Sequence, residues 1–233
     1  MPVIATSPPD RGALSGLLAG VSFLAGVAGA IALAEGPFPR PGSDPAQIRR
    51  YFTQNAGPAR LSAAGQAFSA ASLVQFTTSV AKLAARTGRG SRALQAAAVA
   101  GGGLAAASLA TSAVTHAMLT GQNDDDDAAR LARREFVAGG PVHGVGFGVL
   151  TGVLALAGLR TGELPRPLAI TGLVSAASSL LSPLYFVWEP AGWLIPAGRF
   201  PGLVVSGVAG VRLARGARPL QRPADLAFRR GHT

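Results

Sequence analysis

Residues 139–148 read GGPVHGVGFG, inside the longer run 136–159, FVAGGPVHGVGFGVLTGVLALAGL. A glycine cluster around one histidine suits either a phosphate-cradling loop or a close-packed helix, and the choice decides the fold. A dinucleotide fingerprint needs G-x-G-x-x-G between a strand and a helix, with an acidic residue about 20 positions on. Here Gly144, Gly146 and Gly148 give G-x-G-x-G, position 151 is threonine, and no soluble strand precedes them. No Gly-Lys-Ser/Thr follows either, so the phosphate loop fails with it. What remains is a period of four: Gly140, Gly144, Gly148 and Gly152. On a helix these residues form one smooth stripe against which a second backbone can pack closely. The run is read as a membrane helix.

The remainder of the chain agrees. Of its 233 residues 48% are hydrophobic and only 14% are charged, whereas a globular domain carries about 25% charged residues. Six runs come near the roughly 20 apolar residues that cross a bilayer core: 13–34, 61–81, 93–119, 136–159, 168–187 and 191–213. The second is rich in serine, threonine and glutamine, and the sixth is interrupted by Pro196 and Pro201, which suggests a kinked or re-entrant piece. Ala32-Leu33-Ala34 has the form of a signal-peptide cleavage site. Its apolar run of 22 residues, with Arg11 the only basic flank, favours a retained helix instead.

Charge orients the spans, because Lys and Arg favour the cytoplasmic side. With six spans, the segment 1–12, the second and fourth loops and the tail 214–233 share one side. They hold thirteen basic residues against Asp10, Glu163 and Asp225. The opposite side holds eight arginines and eight acids. Both termini are therefore expected in the cytoplasm of a plasma-membrane protein. The net charge of +10 is carried by 20 arginines and Lys82 spaced between uncharged runs, not by the basic, aromatic-interleaved face of a nucleic-acid binder. The basic tail is expected to meet anionic lipid headgroups. Cysteine is absent, which removes disulfides, thiolate nucleophiles and cysteine-ligated metals.

In the outer loops, Asp44 before Pro45 marks a helix start over Ala46 to Asn55. The four aspartates Asp124 to Asp127 lack the alternation of a calcium loop and read as a helix N-terminus with acids at its positive end.

Ionisable residues inside a membrane mark candidate sites. At 1.5 Å per residue, His116 comes about 5 Å below the outer interface, His143 about 10 Å and Arg199 about 12 Å. Tyr185, Trp188, Glu189 and Trp193 lie nearby. One reading is an outward-opening pocket in which Arg199 holds an anionic group. A second is histidines bonded between helices, Arg199 reaching up to the interface and an aromatic belt. A third is haem b held by His116 and His143. No Ser–His–Asp set, paired carboxylates or metal cluster is visible, so neither catalytic residues nor a metal or cofactor is the leading expectation.

The run 144–183, ending GLRTGELPRPLAITGLVSAASSLLSP, resembles uncharacterised small six-helix bacterial membrane proteins of the domain-of-unknown-function type. In these, a helix ends in a short basic Leu-Pro-Arg turn and a glycine-containing helix follows. The resemblance implies a polytopic membrane protein, actinobacterial by its Arg/Ala bias, and carries no catalytic residues with it. The expected fold is thus an all-α, six-span membrane bundle. The expected role is a non-enzymatic module that binds a partner membrane protein, a lipid or another apolar ligand. A small transporter using the polar residues of spans two, three and five is the alternative, and a haem or quinone redox protein is a second one.

Overall fold

The computed structural model describes residues 9–40 and 42–216. Residues 1–8 and the basic stretch 217–233, with Arg218, Arg222, Arg229 and Arg230, lie outside the described residues, so the expected headgroup contact of the tail falls there. The described residues are helical with no strand. The helices are α1 (Ser15–Leu33), α2 (Pro45–Gln54), α3 (Ala56–Ala85), α4 (Ser91–Leu119), α5 (Asp125–Val137), α6 (His143–Thr161), α7 (Arg166–Leu181) and α8 (Leu194–Ala214).

Local chemistry explains their ends. Asp44 accepts from the Gln47 N–H and Asp124 from the Asp127 N–H, capping α2 and α5. The aspartate run is thus a helix N-terminus. Gly90 and Gly162, both left-handed at φ 79° and 74°, start α4 and stop α6.

Five helical stretches are long and apolar enough to cross a membrane: Arg11–Leu33, Ser91–Leu119, Asp125–Thr161, Arg166–Phe186 and Glu189–Ala214. At 30 residues, or about 45 Å, α3 has the length as well. Its composition is polar because it buries Ser62, Gln66, Ser69, Thr77 and Ser79 among its neighbours.

Two proline-containing segments differ from expectation. The fourth apolar run does not begin near residue 136 with Pro141 in its first turn. Instead α5 passes through a π-helical turn, Ala138–Val142, directly into α6, giving one helix of 37 residues. There the His143 N–H bonds the Ala138 carbonyl five residues back. This wider turn accommodates a proline that has no N–H to give. The sixth run is not broken at its prolines: a short 3-10 turn, Glu189–Trp193, leads into a continuous α8 with Pro201 inside it. Beside that proline, Ser175 of α7 donates its hydroxyl to the Gly198 carbonyl at 2.5 Å.

The long helices close a ring in the order α1, α3, α4, α6, α7, α8 and back to α1. Small residues set the approach. A Cβ on Gly65 would lie 2.6 Å from the Ser22 carbonyl oxygen, and one on Gly146 would lie 2.7 Å from the Gly101 carbonyl oxygen. Gly144, Gly148 and Gly152 of the period-four stripe face Ser182, Ser179 and Ala176, while Gly140 meets Ile195 in ordinary contact.

At one end the termini and turns are tied together. The Asp10 N–H bonds the Leu213 carbonyl at 3.0 Å, Arg86 pairs with the buried Glu163 at 3.0 Å, and Arg212 donates to the Glu163 carbonyl. From this end to mid-bundle the interior holds the buried side chains of Phe76, Phe147, Leu150, Leu154, Val205 and their neighbours. At the other end α2 and α5 form a lid over Leu119 with their own small core of Ile48, Phe52, Ala128 and Leu131, braced by an Arg49–Asp125 ion pair.

Candidate functional site

Beneath the lid the bundle is hollow. A chamber of about 460 Å³ lies between α1, α3, α4, the α5–α6 junction and α8. Its walls are mostly apolar, including Phe23, Val27, Ile31, Leu109, Ile195 and Phe200, and its polar groups are few. This size and composition are those of small-molecule binding cavities, which run from about 300 to 1,000 Å³.

The polar groups converge from four helices. Glu135, on the last turn of α5, accepts from the Ser112 hydroxyl at 3.2 Å and from His116 Nδ1 at 3.4 Å. The imidazole is 4% exposed and sits between Phe38, stacked at 6.2 Å between centroids, and Phe52, edge-on at 5.2 Å. Arg199 donates Nη2 to the Gly139 carbonyl and lies over the Phe23 ring, 5.1 Å from its centroid. Its Nε is buried with no hydrogen-bond partner. Gln66 on α3 is 5% exposed; its Nε2 reaches only the Ser62 hydroxyl at 3.5 Å, and its Oε1 has no partner.

Of the residues expected to share an outer pocket, the structure brings together His116 and Arg199. It does not bring His143 with them. That histidine donates Nδ1–H to the Ala105 carbonyl at 3.0 Å, stacks on Phe147 and is absent from the chamber wall. The His116–His143 pair therefore does not fit a bis-histidine haem, which needs two imidazoles facing one flat space. Trp188 and Trp193 are 61% and 80% exposed, and Glu189 is exposed beside them. All three stand clear of the chamber because the 3-10 turns after α7 carry them outward. Tyr185 packs on Phe136 at 5.1 Å and lines a separate outer cavity of about 480 Å³. That cavity shares Phe38, Glu135 and Phe136 with the chamber as a common wall.

Glu135 is the residue that sequence reasoning missed. Counted among loop charges, it balanced an arginine. Placed on a helix that starts at Asp125 and does not stop at Pro141, it points at the bundle axis one turn before Gly139. Only the continuity of α5 with α6 makes that visible. Gln66 and Ser112 were legible as polar residues in apolar runs, but not as neighbours of one space. No family model, curated protein or solved structure matches the chain, and the chamber's own chemistry carries the functional reading.

Proposed function

We propose that this is a non-enzymatic plasma-membrane protein that binds an apolar or amphiphilic small molecule in the chamber. In this reading the chain crosses the bilayer six times, with α3 as the crossing whose polar side chains are hidden inside the ring. Both termini lie in the cytoplasm, and the α2–α5 lid covers the outer end. The tying of Asp10, the α3–α4 turn, the α6–α7 turn and the end of α8 at one end of the bundle supports an even number of crossings.

The observation that carries the reading is a mostly apolar chamber, below the lid, with His116, Glu135 and Arg199 gathered in it. Binding is favoured over passage because large buried side chains such as Phe76, Phe147 and Leu154 pack together in the half of the bundle opposite the lid. The test is extraction of the detergent-purified protein followed by mass spectrometry of what it releases. The wild-type chain is expected to retain about one apolar or amphiphilic molecule per protein. Ala30→Trp, which fills the chamber from α1, should retain none while keeping its helical circular dichroism. Equal retention by both proteins, or none by the wild type, would overturn the reading.

A further inference from the structure

Two chamber groups have hydrogen-bonding capacity that the protein does not use. Arg199 offers five N–H donors. One is spent on the Gly139 carbonyl, and the buried Nε–H is spent on nothing. Glu135, the acid in the same chamber, acts on Arg199 at longer range while its Oε1 meets Ser112 and His116, so the Arg199 Nε–H keeps no acceptor. A buried guanidinium N–H without an acceptor favours a charged acceptor brought to it, since charge-assisted hydrogen bonds are about twice as strong as neutral ones. Gln66 is the second group, 95% removed from solvent, with its carbonyl oxygen unpaired in the same space. A hydroxyl both donates and accepts, so it satisfies that amide whichever way the amide is turned.

The chamber also has a side exit. Helices α1 and α8 touch near their cytoplasmic ends, where a Cβ on Gly16 would lie 2.8 Å from the Ser206 carbonyl oxygen and one on Gly20 would lie 3.7 Å from Leu203. Farther out both line the chamber, with Arg199 of α8 lying over Phe23 of α1. Ile31 and Phe200 line it while remaining 70% and 51% exposed. Residues that border a cavity and also face outward mark its mouth, and this mouth opens toward the acyl chains.

We propose that the chamber takes a lipid-like anion that enters between α1 and α8, with its phosphate on Arg199, a head hydroxyl on Gln66 and its tail lying past Ile31 and Phe200. A free inorganic anion would leave the apolar wall bare, and a lipid without a phosphate would leave the Arg199 Nε–H without its acceptor. The inference rests on the binding reading above and adds the head chemistry and the route to it.

The test uses the full chain in a neutral detergent and native mass spectrometry. The probes are dioleoyl-phosphatidylglycerol, dioleoylglycerol with the same tails and no phosphate, oleate and inorganic phosphate. Phosphatidylglycerol should be retained over dioleoylglycerol by about tenfold, the factor one charge-assisted hydrogen bond carries. Arg199→Gln should remove the preference. Should that variant fold poorly, Gln66→Leu keeps Arg199 in place and should weaken phosphatidylglycerol several-fold while leaving oleate unchanged. Phe200→Trp at the mouth should slow the loading of both. Arg133→Gln, in an arginine-rimmed groove outside the chamber, should change nothing. Equal retention of phosphatidylglycerol and dioleoylglycerol, a preference untouched by both chamber variants, or phosphate binding as tightly as phosphatidylglycerol would overturn the inference and leave the chamber reading standing. If no lipid of any kind is retained, both fall.

Discussion

A single added methyl group separates two kinds of glycine in this molecule. At Gly65 it would meet the Ser22 carbonyl oxygen at 2.6 Å and the Gly26 Cα at 2.7 Å, both backbone atoms that cannot turn aside. At Gly103, exposed on α4, it would meet nothing within 4 Å. Gly65→Ala is therefore expected to force α1 off α3 and lower stability by about 2 kcal/mol. Gly103→Ala should raise stability by roughly 0.5–1 kcal/mol, because it only removes backbone freedom from the unfolded chain. Denaturation of the two variants in mixed micelles, followed by circular dichroism, checks both signs at once. Equal shifts would mean that the α1–α3 contact is looser than its geometry. The period of four at Gly140, Gly144, Gly148 and Gly152 was legible as a stripe. Which helix it would face, and that Gly140 would stand apart at the chamber, was not, because a stripe specifies smoothness and not a partner.

Among the elements, the lid depends on one buried side chain. Asn55, 2% exposed, stands between α2 and α3 and reaches back across the first loop. It accepts from the Glu35 N–H at 2.6 Å and donates to the carbonyls of Glu35 and Tyr51 at 3.1 and 3.0 Å. Asn55→Ala leaves the Glu35 N–H and carbonyl without their partner, while the Tyr51 carbonyl keeps the residue 55 backbone N–H at 2.9 Å, at a cost of about 2 kcal/mol. The expected readout is faster cleavage by a glutamyl endopeptidase after Glu35, which is exposed at the start of the loop and is the residue that Asn55 holds, with the rest of the bundle resistant. Unchanged cleavage would show that the loop is held by Phe38 packing alone. The start of α2 was readable from Asp44-Pro45 because a cap is local chemistry. The π turn at Pro141 was not. The chain could have ended a helix there, and the continuation is decided by the lid that α5 forms with α2.

At the scale of the molecule, the ring is fastened at one end by Glu163. Its side chain is 2% exposed and takes Arg86 from the α3–α4 turn, while its carbonyl takes Arg212 from α8. Glu163→Gln keeps the shape and removes the charge. With Arg86 still 38% exposed to solvent, the expected loss is about 1–3 kcal/mol, seen as a lower melting temperature in detergent. No shift would place the fastening in the backbone contacts instead. The absence of cysteine makes single-cysteine labelling unambiguous for orientation. Asn123→Cys, in the turn before α5, should react with an impermeant maleimide on intact cells, and Arg89→Cys, in the α3–α4 turn, only after the cells are opened. The reverse pattern would invert the proposed topology.

From the amino-acid sequence alone came the all-α class, the apolar runs and the asymmetry of charge between the two ends. Each depends on composition or on spacing along one helix, and neither needs a neighbour to be known. The tertiary structure alone decided that α3 turns its polar side chains into the bundle, that α5 and α6 are one helix, and that Glu135, His116, Gln66 and Arg199 surround one space. Those residues are scattered from position 66 to position 199. What they share is a depth and a direction, and both depend on how helices rotate and pack around the ring, which no single helix encodes.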